Sequence, residues 1–183
     1  MTPAELYAYL VRSRRDLWEF LESLPDEGLS RTVIPGDGAR FRNIKDLVLH
    51  VAAVEDSWLH EDILAREPVW TRLPGFPGVL DSPSYGHLPL AFMLEYWRAV
   101  EAATLAYLAS VTPGELARLV RVERSSGVWV YPVEDLLRHV TLHEARHVAQ
   151  MAVLARQQGF APPFLDYLRY SGMPVAPRPA GPE

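Results

Sequence analysis

The sequence predicts an all-α protein, a four-helix bundle. Three observations point there. Sixteen prolines leave four long proline-free stretches, 4–24, 36–67, 90–112 and 133–161. Proline is tolerated at the first helical position but not in a helix interior, so each stretch can hold one long helix. Within each stretch apolar residues recur at three- and four-residue spacing, and a strand pattern is confined to one short segment. Helices that are apolar on one side must bury that side against each other, and four of them close a bundle.

The first helix opens at Thr2-Pro3-Ala4-Glu5, a capping signature with proline at the first turn. Its apolar positions include Leu6, Leu10, Leu17, Phe20, Leu21 and Leu24. The second starts at Asn43, a good N-cap, and runs to about Arg66 with a stripe of Ile44, Leu47, Val48, Val51, Val54 and Trp58. The third spans about Pro89 to Val111, with Phe92, Tyr96, Val100 and Leu105 among its apolar positions. The fourth begins at Pro132 and ends at Gly159, which can take the left-handed conformation that closes a helix. Its stripe is Val133, Leu136, Leu137, Val140, Val148, Met151 and Leu154.

A long connection, 67–88, joins the second and third helices, and Trp70, Phe76 and Tyr85 suit a packed loop. Between the third and fourth helices, Leu119–Glu123 and Val128–Tyr131 alternate around Ser125-Ser126-Gly127, which predicts a short hairpin or an extended link. The expected organisation is one domain over 1–172 and a proline-rich mobile tail over 173–183.

Composition narrows the function. The chain has 183 residues, 49% hydrophobic and 22% charged, with a net charge of −5. That balance argues against nucleic acid as a partner. The absence of cysteine excludes disulfides, thiolate metal sites and cysteine nucleophiles. No run approaches the ~20 apolar residues of a membrane span, and the N-terminus lacks the pattern of a signal peptide. The expectation is a cytoplasmic protein acting on a small molecule.

The informative residues are polar ones on apolar faces. With residues placed about 100° apart and Val140 at zero, His147 falls at about −20° and His143 at about −60°. His139 and Arg146 fall outside the stripe. On the second helix His50 lies at the margin of the core face, while His60 points toward solvent. Two inward histidines four residues apart, with a third from a facing helix, can share a metal. Three imidazoles suit Zn²⁺, Ni²⁺, Cu²⁺ or Fe²⁺ and leave positions open for water or substrate. The bland alternative is a set of core histidines bonded to backbone or carboxylate. The segment His143-Glu144-Ala145-Arg146-His147 also spells the HExxH of metalloproteases, with Glu144 as general base. Its context argues against that reading: no histidine follows His147, and no strand precedes the helix to hold a peptide.

Two segments carry a resemblance. Asn43 to Trp58, NIKDLVLHVAAVEDSW, and Arg138 to Gln150, RHVTLHEARHVAQ, resemble the second- and fourth-helix motifs of the DinB/YfiT-like metal-binding four-helix bundles. The order of the helices and the long connections are similar too, over about residues 3–160. The sequence departs from the family pattern at Leu142, Arg146 and Ala149. The resemblance implies a metal triad of His50, His143 and His147. It implies a divalent metal, zinc or nickel, with a low-molecular-weight thiol as cosubstrate. Characterised relatives are bacillithiol S-transferases and mycothiol-dependent isomerases, so the implied activity is a metal-dependent small-molecule transferase or hydrolase. Homodimers are common in the family. The alternatives are a non-catalytic bundle that holds a metal or small ligand in a stress-related role, and a purely structural bundle.

Further residues enter as candidates. Glu144 reads as general base, as partner of an imidazole N–H, or as a helix-bonded glutamate. Ser57 and Gln150 could line the site, and His87 its mouth or simply the surface. Trp18, Trp58 and Trp97 read as core, while Trp70 and Trp129 sit in connections.

Overall fold

Thr2 caps the first helix as its sequence requires. Its hydroxyl accepts from Glu5 N–H (3.2 Å), the Glu5 carboxylate accepts from Thr2 N–H (2.7 Å), and Pro3 opens the helix. In this computed structural model, residues 1–33, 41–76, 78–82 and 84–171 are described. The tail expected from residue 173 onward lies outside them.

Helix α1 spans Pro3–Ser23, followed by a short α2, Asp26–Ser30. Helix α3 spans Ile44–Asp56, capped by Asn43, whose side chain accepts from Asp46 N–H. Helix α4 spans Leu90–Leu108, and a short α5 spans Pro113–Ala117. Strands β1, Leu119–Arg124, and β2, Gly127–Pro132, form an antiparallel hairpin with Val120 opposite Tyr131 and Val122 opposite Trp129. Helix α6 spans Val133–Gln157 and α7 spans Tyr167–Ser171. Gly159 follows α6 at φ +85°, the left-handed stop its position predicted.

The four long helices pack as a bundle, α3 against α4 and α6, α1 against α6 and α4. Leu21, Ile44, Val48, Leu49, Met93, Leu94, Trp97 and Val100 are fully buried between them. The long connection packs down through Phe76, which is fully buried and stacks on Phe92 with ring centroids 4.6 Å apart. The hairpin buries Val120 and Val122 against a second cluster that holds Ile63, Leu136 and Leu137.

The second helix departs from its expected course. It continues past Asp56 not as α-helix but as a π-helical turn, Ser57–Ile63. There Leu64 N–H reaches the Leu59 carbonyl five residues back, at 3.0 Å. The wider turn shifts the register. His60, expected toward solvent at a constant helical pitch, is instead buried, with Nδ1 2.7 Å from Asp56 Oδ1 though not aimed as a hydrogen bond. Trp58, expected in the core, is half-buried, and its ring meets His139 at 5.2 Å.

Candidate metal centre

Helix α3 carries His50 and helix α6 carries His143 and His147, and the packing of the two helices brings the imidazoles together. Nε2 of His143 lies 3.1 Å from Nε2 of His50 and 3.1 Å from Nε2 of His147. One ligand atom from each of the three lies within 4.8 Å of the others. His143 and His147 are buried and His50 is partly buried. No carboxylate joins this cluster among the described residues.

The hydrogen bonds fix which nitrogens face inward. Gln150 Oε1 accepts from His147 Nδ1–H at 2.5 Å. Arg146 Nη2 donates to His147 Nε2 at 3.1 Å. Both contacts require the same tautomer, with the proton on Nδ1 and a lone pair on Nε2. Nε2 of His143 faces two other Nε2 atoms and can donate one proton to one of them, so the cluster is over-supplied with acceptors.

A cation relieves that excess, and the two 3.1 Å separations suit one. Metal–nitrogen bonds of about 2.0–2.1 Å at tetrahedral or octahedral angles separate their nitrogens by roughly 2.9–3.4 Å. The imidazoles are also ready for it. Burial, with smaller contributions from His147 and His50, pushes the His143 pKa down to about 3. Burial and the nearby Arg146 also lower that of His147, against the pull of Gln150. Neutral imidazoles at neutral pH are what a metal requires.

The surroundings are held by two buried aspartates. Asp46 accepts from Tyr85 N–H (2.7 Å), Ser84 Oγ–H (3.1 Å) and Arg42 N–H (3.1 Å), which brings the segments bearing Phe41 and Tyr85 beside His50. The Phe41 ring lies 4.2 Å from that of His50 and 5.6 Å from that of His147. Asp56 accepts from Val69 N–H (2.9 Å), Trp70 N–H (3.2 Å) and Tyr96 Oη–H (2.7 Å), tying the long connection to α3 and α4. Burial and that carboxylate raise the Tyr96 pKa far above the usual phenol range. A cavity of about 330 Å³ opens beside the cluster, lined by His50, Phe41, Trp58, Leu80, Tyr85 and Arg124 among others.

Glu144 follows His143 in sequence but turns elsewhere. Its two carboxylate oxygens accept from Nε (2.9 Å) and Nη2 of Arg14, a fully buried guanidinium on α1. Arg14 also donates to Glu55 (2.6 Å), Glu101 (3.1 Å) and the Tyr7 hydroxyl (3.0 Å). Tyr7 and Thr104 in turn donate to Glu55. One knot therefore joins α1, α3, α4 and α6. Burial and the neighbouring Glu55 and Glu101 raise the Glu144 pKa against the pull of Arg14. In an HExxH protease the glutamate serves the metal's water; here both of its oxygens are committed to Arg14.

Sequence reasoning missed this knot, although a signal was there. Arg14 stands four residues after Leu10, Glu55 four after Val51, Glu101 four after Trp97 and Glu144 four after Val140. Each charge sits on the apolar stripe of its own helix, and buried charges need partners. Of the other candidates, Gln150 is found on His147, Ser57 lines the cavity, and His87 is exposed. Trp18 and Trp97 are buried in the core.

Comparison with protein-family models matches residues 1–178 to the DinB family. The chain belongs to the DinB family. The four-helix bundle with its interposed hairpin is the DinB-family fold, and the three-histidine cluster that could hold a metal sits within it. No curated protein matches the chain.

Proposed function

We propose that this DinB-family protein is a metal-dependent enzyme acting on a small molecule, as a transferase to or from a low-molecular-weight thiol or as a hydrolase. His50, His143 and His147 hold the metal, zinc or nickel. The observation that carries the reading is the convergence of imidazole nitrogens at 3.1 Å from two helices, with no acidic ligand among the described residues to close the coordination. Three neutral ligands leave room for an exchangeable one, as catalytic centres do and structural ones do not.

A divalent metal bound there supplies Lewis acidity, which lowers the pKa of a coordinated water or thiol toward neutrality. The chain's own residues prepare the site. Gln150 holds the His147 tautomer that aims Nε2 inward. Phe41 covers the imidazoles of His50 and His147 and limits water on that side. Glu144 braces α6 against α1 through Arg14 rather than acting as a base. Because the chain has no cysteine, a thiol nucleophile must come from a cosubstrate.

The test is a paired assay of the zinc- or nickel-loaded protein, one arm for transfer of a small thiol to an electrophilic acceptor and one for hydrolysis of activated esters and amides. Turnover in either arm that disappears in His143→Ala supports the proposal. Absence of turnover in both arms with a fully loaded protein contradicts it.

A further inference from the structure

The character of the pocket narrows the ligand. Among the described residues the three-histidine cluster includes no carboxylate, and the adjacent Glu144 is committed to Arg14. Among the described residues Arg146 brings a charged side chain to the cluster, through Nη2 at 3.1 Å from His147 Nε2. Among the described residues no carboxylate pairs with Arg146. It has a neutral imidazole as its partner, on the very lone pair that a metal would take. A metal taking that lone pair would displace the Arg146 guanidinium from His147 and leave it beside the ion. With no carboxylate among the described residues of the cluster to offset its charge, such a centre would attract an anion. A guanidinium matches a carboxylate in particular, because its planar fork can donate two parallel hydrogen bonds.

The neighbouring cavity has the opposite character. Phe41, Trp58, Leu80 and Tyr85 line its walls, and His50 connects it to the cluster. The guanidinium that lines it among the described residues, Arg124, is neutralised by Asp62 through bonds of 3.1 and 2.6 Å and lies over the Trp58 ring at 5.0 Å. At about 330 Å³ the space accepts a ring-sized apolar body.

We propose that the site binds an amphipathic carboxylate, with its anionic head at Arg146 and the three-histidine centre and its flat apolar body in the Phe41–Trp58–Tyr85 cavity. Arg146 is thus a specificity residue, and this inference rests on the metal-centre reading above.

The experiment uses the full chain loaded with Zn²⁺, its zinc content measured first, and isothermal calorimetry with three probes: phenylacetate, acetate and 2-phenylethanol. Phenylacetate is expected to bind at least about tenfold more tightly than either of the others, since each lacks one half of the recognition. Arg146→Ala should lose about tenfold on phenylacetate and leave 2-phenylethanol and zinc content unchanged. Arg146→Lys should fall between, keeping the charge without the fork. Trp58→Ala should bring phenylacetate toward acetate. Arg146 is exposed, so its variants are expected to fold, which circular dichroism checks. Equal binding of acid and alcohol, equal binding of phenylacetate and acetate, or an unaffected Arg146→Ala overturns the inference while the metal centre stands. A protein that takes up no zinc overturns the metal reading and this inference together.

Discussion

Arg14 holds both carboxylate oxygens of Glu144 inside the bundle, so Glu144 faces α1 while its neighbour His143 faces α3. The same guanidinium reaches Glu55, five residues along α3 from His50. One buried arginine thus sets the rotation of both helices that carry the histidines. Arg14 and the half-exposed Arg15 face three buried carboxylates, Glu55, Glu101 and Glu144.

Removing the centre of that knot should be costly. Arg14→Met leaves Glu55 and Glu144 buried without their arginine and Glu101 with Arg15 alone, and breaking a buried ion pair from one side costs about 3–5 kcal/mol. Glu144→Gln, which removes one charge of an excess, should cost less. Urea denaturation of both variants measures this. A loss below about 1 kcal/mol for Arg14→Met would mean the knot contributes little.

The metal-free protein should lose stability as pH falls from neutrality. His143 titrates near 3 in the folded chain and near 6.5 when unfolded. Its neutral form is therefore favoured by folding. That contribution is present above about pH 6.5 and is lost progressively as pH falls toward 3, because the unfolded chain takes up the proton first. Glu144, with its raised pKa, contributes in the opposite direction. The comparison is therefore between wild type and His143→Asn, by urea melts between pH 7.5 and 5. The variant should show the shallower dependence, and identical slopes would contradict the assignment.

Gln150 lies outside the cluster but sets one ligand's tautomer. Gln150→Leu should weaken metal binding about 10–100-fold, as loss of an imidazole's outer partner does elsewhere. Because Gln150 is exposed, folding stability should change little. Competition against a chelator of known affinity reads the first, and thermal melting of the metal-free protein the second. Unchanged affinity would show that His147 needs no such support.

Gly159 closes α6 at φ +85°, and no described residue lies within 4 Å of where its Cβ would stand. Gly159→Ala should therefore cost about 1–2 kcal/mol through backbone conformation alone, with no steric clash. Thermal denaturation measures it, and a neutral substitution would show that the helix end can relax.

The bundle was legible in the sequence because prolines mark the helix ends and the apolar stripes run at helical spacing between them. His50, His143 and His147 were legible because each breaks such a stripe, and α3 and α6 do place them together. The direction of Glu144 was not, since a residue's position on one helix does not name the helix it faces. Its partner Arg14 lies 130 residues away in sequence. The burial of His60 was hidden because a constant 100° step does not anticipate a π-helical turn over Ser57–Ile63. The short α2 and α5 escaped for a simpler reason: five residues carry too little periodicity to read.

The most direct measurement is the metal content of untagged protein purified without chelator, beside a His50→Ala/His143→Ala/His147→Ala variant shown by circular dichroism to be folded. About one divalent metal per chain is expected in the wild type and none in the variant. A metal-free wild type that takes up neither Zn²⁺ nor Ni²⁺ on titration, or a variant that binds metal equally well, would contradict it.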